Sequence, residues 1–497
     1  MCRAVTTPPD RPTARLTLAV ALAAAAFWAF DLAVLRCGVP DPLDDLWEYG
    51  IAARALLAGE GLRTTVLHPP LWALRDAVPS VPVLVHGPLP STLLAAPIAL
   101  AGDGALDQAA WLAALFAVVA AVLIFRLGTE RFGPAVGAAA AGLFTLSPLV
   151  LRAVHHDAAL VIGAALFVAA FQLVAGARAR PFAAGVALGL CHLARPEMLY
   201  AAPLFALAAW RGAPALLGGF VLTSLPWWAH NAAATGQPFF SLSSYMMLGY
   251  WGARPELSPL RDFALTPAEF PHVLMEALPG LWPKWLELHP HALKRALMAP
   301  SGGTGWLALL GLVLGLARPE LRRWALVAAM LASLPVAIQT LTLYDARYLV
   351  PFLPLWTLAA AWGASMLAAR APAWARRPRL WIGALLLLTL PSTLPALRAA
   401  HDEARLLERR LAAEREALAP LAVARGGRAP LLFSDTPDFV SWTTRRSVVF
   451  LTREEWAALP GPGDPNIDRL PVGGDPGLTW FGGYAPGATT RERRGGR

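Results

Sequence analysis

The 497-residue chain is 56% hydrophobic and only 15% charged, with a mean hydropathy of +0.50. Soluble globular domains carry nearer a quarter charged residues, so this composition excludes an ordinary soluble enzyme and indicates a polytopic membrane protein. The net charge of +9 sits in short arginine clusters between apolar runs, which encodes membrane topology rather than a phosphate-reading face, and nucleic acid is not expected as a partner.

The chain opens with Arg3, Arg11 and Arg15 and then runs apolar to about Leu35. At about 20 residues this run exceeds a signal-peptide core and suffices to span, so a cytoplasmic N-terminus (1–14) and an uncleaved first crossing are expected. Further crossings are read at 107–126, 134–153, 157–176, 182–194, 198–210, 213–228, 303–317, 324–342, 349–369 and 380–397, giving a helical transmembrane domain over 15–397 with about eleven spans. Arg3, Arg11, Arg126, Arg131, Arg178, Arg180, Arg211, Arg318, Arg322, Arg323, Arg370, Arg376, Arg377 and Arg379 then fall on one side, which the positive-inside rule makes the cytoplasm. The other side receives a first outer loop (37–106), the region around 154–157, a large outer loop (230–302), 343–348 and everything after 398.

Within this frame, "PLPSTLLAAPIALAG" (88–102) is too short and too proline-broken to cross, and reads as a half-helix at the outer surface. The pair 182–194 and 198–210 are each short of a full span and meet at "ARPEM", which sets Arg195 and Glu197 below the surface. Charges and backbone breaks at that depth require protein or a water-filled cavity beside them. After 398, a charged amphipathic helix precedes strand, helix or turn, strand and helix, so a small extracytoplasmic α/β domain is expected over 398–460. The Gly-, Pro- and Arg-rich end (461–497) reads as a flexible tail. Cys2, Cys37 and Cys191 have no metal-binding or paired spacing, and no disulfide is expected.

The chemistry-bearing residues gather in the outer segments. "LDDLWEYG" places Asp44, Asp45 and Glu48 at i,i+3 and i,i+4 spacing, so all three share one helix face with Tyr49 beside it. A solvated face would explain such a cluster, as would the edge of an active site. "VHGPLP" brings His86, "RAVHHDAAL" brings His155, His156 and Asp157, and "LYDARYLVP" brings Asp345 and Arg347. Asp157 also fits an N-cap. His155, His156 and Asp157 form a donor set that a divalent metal would accept, and the histidines equally suit interfacial packing. Arg195 and Arg347 are either interface anchors or the binding groups of an anionic ligand, phosphate geometry being well matched by Arg. The aromatic residues of 226–252 read as an interface belt or as a groove for a lipid or sugar.

"DDLWEYGIAARALLAGEGL", "HGPLPSTLLAAPIALAG", "RLGTERFGPAVGAAAAGLFTLSPLVLRAVHHDAAL", "GVALGLCHLARPEMLYAAP", "HNAAATGQPFF" and "RYLVPFLPLWTLAA" occur in an order similar to that of the polytopic glycosyltransferases of the GT-C class. The resemblance covers about residues 15–370 and points to the bacterial branch related to dolichyl-phosphate-mannose protein mannosyltransferases and lipid A aminoarabinose transferases. It implies a GT-C-like architecture in a bacterial inner membrane, a polyprenyl-phosphate-linked sugar donor, and a lipid, glycan or protein acceptor hydroxyl on the extracytoplasmic face. Asp44 and Asp45 match the acids of the first outer loop, with Asp45 preferred as base, and Tyr49 meets the aromatic position. Asp157 matches the second acidic position. His86, Arg195 and Arg347 match the basic positions of the "HGPL", helix-break and "YLVP" segments, and Glu197 joins them as a substrate-binding candidate. The sequence reads "HGPL" where "HPPL" or "KPPL" is commoner, and Asp-Asp where Asp-Glu is frequent. A lipid-linked sugar transporter and a non-catalytic envelope scaffold are the competing readings; against the first, the chain shows no matching hydropathy halves.

Overall fold

The computed structural model describes residues 11–41, 44–68, 80–176, 179–242, 267–268, 270–298, 303–341, 346–374, 376–419, 432–434, 437–445, 448–450 and 479–480. Asp345, the loop aromatics beyond 242 and the last helix expected in the tail lie outside these residues.

The centre of the bundle is the helix Ala158–Ala175, whose Leu160, Ile162, Phe167 and Val168 are fully buried. Its 18 residues make it about 27 Å long. Helices Ala109–Phe132, Pro181–Ala194 and Leu353–Arg370 pack around it. Lipid supplies no hydrophobic drive between helices, so small residues that let backbones approach do the work. A Cβ at Gly185 would collide with the Leu216 carbonyl, and one at Gly311 with that of Ala359.

Proline and glycine break the helices. Pro134–Thr145 and Pro148–His156 meet at 52°, with Pro148 at the first turn of the second piece, where its missing N–H is tolerated. Pro196–Ala208 and Trp210–Thr235 meet at 108°, and Pro378–Leu387 and Leu390–Glu416 at 45°. Among the described residues four helices are long and apolar enough to cross a membrane, or seven if each bent pair is one crossing. Length and composition therefore do not support all eleven expected spans. The half-helix expected at 88–102 forms Leu89–Ala101, and 182–194 is likewise a short helix, Pro181–Ala194.

The tail expected to form a small α/β domain over 398–460 shares its sheet with the first outer loop. The expected boundary at 398 falls inside one continuous helix, Leu390–Leu418, because charged residues on one face continue the helical period of the apolar segment. The strands Leu432–Ser434, Val448–Phe450 and Thr479–Trp480 form one parallel sheet with Val66–Leu67 of the first outer loop, Val66 facing Val448 and Leu67 facing Val449. Helix Pro437–Thr444 packs on Leu46–Leu57, with the ring centroids of Trp47 and Phe439 5.0 Å apart. The first outer loop and the tail thus share one core.

Candidate functional site

The acids follow directly from the first membrane helix. Asp45 is the residue before helix Leu46–Leu57, which carries Glu48 and Tyr49 inward, both buried. Asp44 and Asp45 diverge. Asp44 Oδ2 accepts the Asp41 backbone N–H at 2.7 Å and faces His156 Nδ1 at 3.2 Å. Burial raises its carboxyl to about 6, an effect His156 only partly offsets. Asp45 faces the other way. Its Oδ1 lies 3.9 Å from His86 Nε2, which is also 3.3 Å from Glu48 Oε2. Burial alone would raise Asp45, yet the charges of His86, Arg347 and Arg195 outweigh it and hold the carboxyl below its ordinary range. Burial pulls His86 down, but Asp45 and Glu48 more than compensate and lift it to about 9. The Tyr49 ring packs edge-on against His86 at 5.1 Å.

The helix break expected at "ARPEM" positions the cation. Helix Pro181–Ala194 ends at Arg195, whose extended backbone precedes a short 3-10 turn, Pro196–Ala201. Arg195 Nε donates to Glu197 Oε1 at 2.8 Å and Nη1 donates to Asp157 Oδ2 at 3.3 Å. Asp157 occupies the N-cap position of Ala158–Ala175 without a side-chain capping bond, because its carboxylate is engaged by Arg195 instead. Arg195 and Arg347 both lie against the Tyr348 ring, at 5.1 and 5.2 Å. His86 is pinned against the break by its neighbour: a Cβ at Gly87 would strike the Leu193 carbonyl, so glycine in "HGPL" permits the contact.

The structure therefore brings Asp44, Asp45, Tyr49, His86, Asp157, Arg195, Glu197 and Arg347 to one end of the bundle. Arg131 and Arg323 lie against Trp324 and Arg318 against Trp362 at the other end of the central helix, as the one-sided arginine pattern requires. His155, His156 and Asp157 do not converge as a metal set. His155 Nε2 is 2.6 Å from Asp31 Oδ2, His156 turns to Asp44 and Asp157 to Arg195, since consecutive residues leaving a helix point in different directions. Among the described residues, one His/Cys/Asp/Glu group of three brings its ligand atoms within 4.8 Å of one another: Asp31, Cys37 and His155. The surroundings of Asp45, with two guanidinium groups close by, do not fit a dication.

Sequence reasoning missed Asp31, Tyr348 and Asp438. Asp31 carried a signal, a carboxylate inside an apolar span. Asp438 comes from the tail helix. Its carboxyl is pushed well above the ordinary range, first by burial and then by Glu48. A cavity of about 300 Å³ lies against a different face of helix Leu46–Leu57, lined by Arg54, Arg63, Ser80, Ser441 and Arg445.

The family model described as dolichyl-phosphate-mannose-protein mannosyltransferase matches residues 85–227, the segment from His86 through the helix break. No curated protein sequence matches the chain. The ArnT structure from Cupriavidus metallidurans bound to undecaprenyl phosphate superposes with a TM-score of 0.53 at 14% identity, over 89% of this chain and 86% of that one. An Archaeoglobus fulgidus oligosaccharyltransferase complex with Zn and sulfate gives 0.55 at 15% identity, over 88% of this chain. The archaeal oligosaccharyltransferase AglB from Archaeoglobus fulgidus, in complex with an inhibitory peptide and a dolichol-phosphate, gives 0.52 at 14% identity, over 87% of this chain and 64% of that one. The chain has the GT-C fold. It spans 62% of the length of the archaeal oligosaccharyltransferase chain with Zn and sulfate. The resemblance read from the ordered segments is thus met at the level of the fold, and the chain is a multi-pass membrane protein.

Proposed function

We propose that this GT-C protein transfers a sugar from a polyprenyl-phosphate donor to an acceptor hydroxyl at the acid-bearing end of the bundle, with Asp45 as general base. The positive-inside rule supports an extracytoplasmic position for that end, and the resemblance points to a bacterial inner membrane. The observation that carries the reading is the placement of Asp45 among His86, Arg195 and Arg347, beside a broken membrane helix.

A phosphodiester-linked sugar leaves as a stable phosphate anion, so it needs no carboxylic acid to protonate the leaving oxygen, unlike a glycoside. Asp45 takes the acceptor's hydroxyl proton while the new C–O bond forms at the anomeric carbon. The old bond to phosphate breaks, and its electron pair leaves with the phosphate. Direct displacement inverts the anomeric centre. Arg195, Arg347 and His86 stabilise the departing charge electrostatically. Those same cations hold Asp45 low without donor. A phosphate seated on them offsets their charge, so the proton affinity of Asp45 rises once the donor is bound. Asp157, held by Arg195, orients the acceptor side of the site, and Glu48 keeps His86 charged. The polyprenyl tail lies between helices, as the depth of the break requires.

The test uses the full chain in liposomes with a panel of radiolabelled polyprenyl-phosphate sugars and crude envelope acceptors. Label leaving a donor for an acceptor, lost in Asp45→Asn, supports the reading. Donor that crosses between leaflets uncleaved would replace it with the transporter reading.

A further inference from the structure

Three buried side chains outside the proposed catalytic cluster meet where the first membrane helix gives way to the outer loop. Asp31 sits in a π-helical turn, Phe30–Val34, closed by a Leu35 N–H donating to the Phe30 carbonyl at 3.1 Å. Such widened turns inside helices cluster at functional positions. Arg36 follows with φ 54, a left-handed conformation that non-glycine residues rarely adopt. It turns the chain back so that the Cys37 N–H donates to the Asp31 carbonyl at 3.3 Å. His155 arrives from helix Pro148–His156.

We propose that Asp31, Cys37 and His155 form a binding site for a zinc-type divalent ion. Each ligand atom lies within 4.8 Å of the other two, and the residues are 0%, 2% and 3% exposed. Asp31 Oδ1 is buried and makes no hydrogen bond, although Oδ2 of the same carboxylate is 2.6 Å from His155 Nε2. The Cys37 thiol reaches the Leu397 carbonyl at 4.0 Å and is also hydrogen-bonded to the Asp31 carboxylate, which already sets sulfur and carboxylate side by side. A thiolate, an imidazole and a carboxylate are the borderline donor set zinc takes, and the sulfur and nitrogen argue against Mg²⁺ or Ca²⁺. Binding displaces the thiol proton and the proton held between His155 Nε2 and Asp31 Oδ2, which leaves a neutral imidazole. Two anionic ligands then cancel the ion's charge, so the buried site is neutral overall.

The ion joins the first membrane helix, the start of the outer loop and the His155 segment. The next two residues of that segment engage Asp44 and Arg195. It therefore fixes the outer loop from behind, apart from the Asp45 cluster and independently of what that cluster catalyses.

The purified full chain in detergent, analysed for metal by mass spectrometry, is expected to hold about one zinc per chain. Cys37→Ser and His155→Gln should each lower zinc occupancy by more than about ten-fold, while Cys191→Ser and Asp45→Asn keep it. Protein loaded with Co²⁺ should show thiolate-to-cobalt charge-transfer absorption that Cys37→Ser abolishes and Cys191→Ser retains. If a variant does not fold, wild-type protein decides: the cobalt band, with Cys37 shielded from alkylation until chelator is added, sustains the site. Folded wild type without zinc and without the band overturns it, as does metal content unchanged by Cys37→Ser.

Discussion

Asp44 and Asp45 are neighbours in the chain, but Asp44 Oδ2 faces His156 Nδ1 at 3.2 Å while Asp45 Oδ1 faces His86 Nε2 at 3.9 Å. The sequence left open which of the two is the base. The geometry favours Asp45, because only its side borders Arg195 and Arg347, where a phosphate would be held. Asp45→Asn should lower label transfer by about 10²–10⁴-fold, the usual contribution of a general base. Asp44→Asn should cost much less, since it disturbs a hydrogen bond to His156. Initial rates with both variants, at matched expression and thermal midpoint, check this; the reverse ranking would move the base to Asp44.

His86 gives the site a basic limit. Its folded-state value of about 9 lies above the ordinary 6.5, so its charge is in place at neutral pH and is lost as pH rises through about 9. The sign for stability is the same: the pairing with Asp45 and Glu48 contributes fully below the ordinary value and disappears across that window. Asp45, held low without donor, adds no fall in kcat/KM near neutrality. A pH profile of transfer should therefore be lost above about 9, and His86→Gln should lose that basic limb together with donor affinity. A profile unchanged in His86→Gln would remove His86 from phosphate binding.

Arg195 is both a proposed phosphate-binding group and the partner of a buried acid. Its side chain is 7% exposed and that of Asp157 only 2%. Arg195→Ala removes the cation in contact with Asp157 and leaves only the more distant Arg347 and His86 charges, and breaking a buried pair from one side costs about 3–5 kcal/mol. Arg195→Lys keeps the charge but not the fork that reaches Glu197 and Asp157 together. Arg195→Ala should lower the thermal midpoint sharply, whereas Arg195→Lys should stay folded with raised KM for donor. Equal stability in both would mean the Asp157 contact contributes nothing.

Glycine at 87 replaces a proline expected from the resemblance, and the structure supplies a reason. The chain passes so close to the Leu193 carbonyl that no Cβ fits. Gly87→Ala should push the His86 loop off the helix break and cost about 1–3 kcal/mol, as overpacked sites do. Transfer should fall more than stability predicts, because His86 shifts with it. Transfer and a midpoint both matching wild type would show that the loop moves freely.

The bundle was legible in the sequence because membrane helices announce themselves by length and apolarity, and the arginines sorted the ends. The break at Arg195 was legible too, since two short apolar segments meet there at a charged "RPE". The direction of each side chain at a helix end was not: His155, His156 and Asp157 read as one donor set and take three separate partners. Nor was the shared sheet, because a pairing of Val66 with Val448 joins residues far apart along the chain and leaves no local period. Asp438 was hidden for the same reason.

That long-range pairing makes the tail a support for helix Leu46–Leu57. Trp442 is 5% exposed, the Arg54 guanidinium lies 3.2 Å from its ring centroid, and the Trp47 ring is 6.3 Å away. Arg54 also donates to the Trp442 carbonyl at 2.8 Å, so the indole clamps helix Leu46–Leu57 from the side away from His86. Truncating a buried Trp costs about 3–5 kcal/mol. Trp442→Ala should therefore release that helix and lower both the thermal midpoint and the transfer rate, while Trp442→Phe recovers most of the packing. Protease sensitivity of the first outer loop, followed by mass spectrometry, separates this from global unfolding: the loop should be cut early in Trp442→Ala while the membrane helices stay protected. A loop as resistant as in wild type would mean that the tail does not hold the helix that positions Asp45.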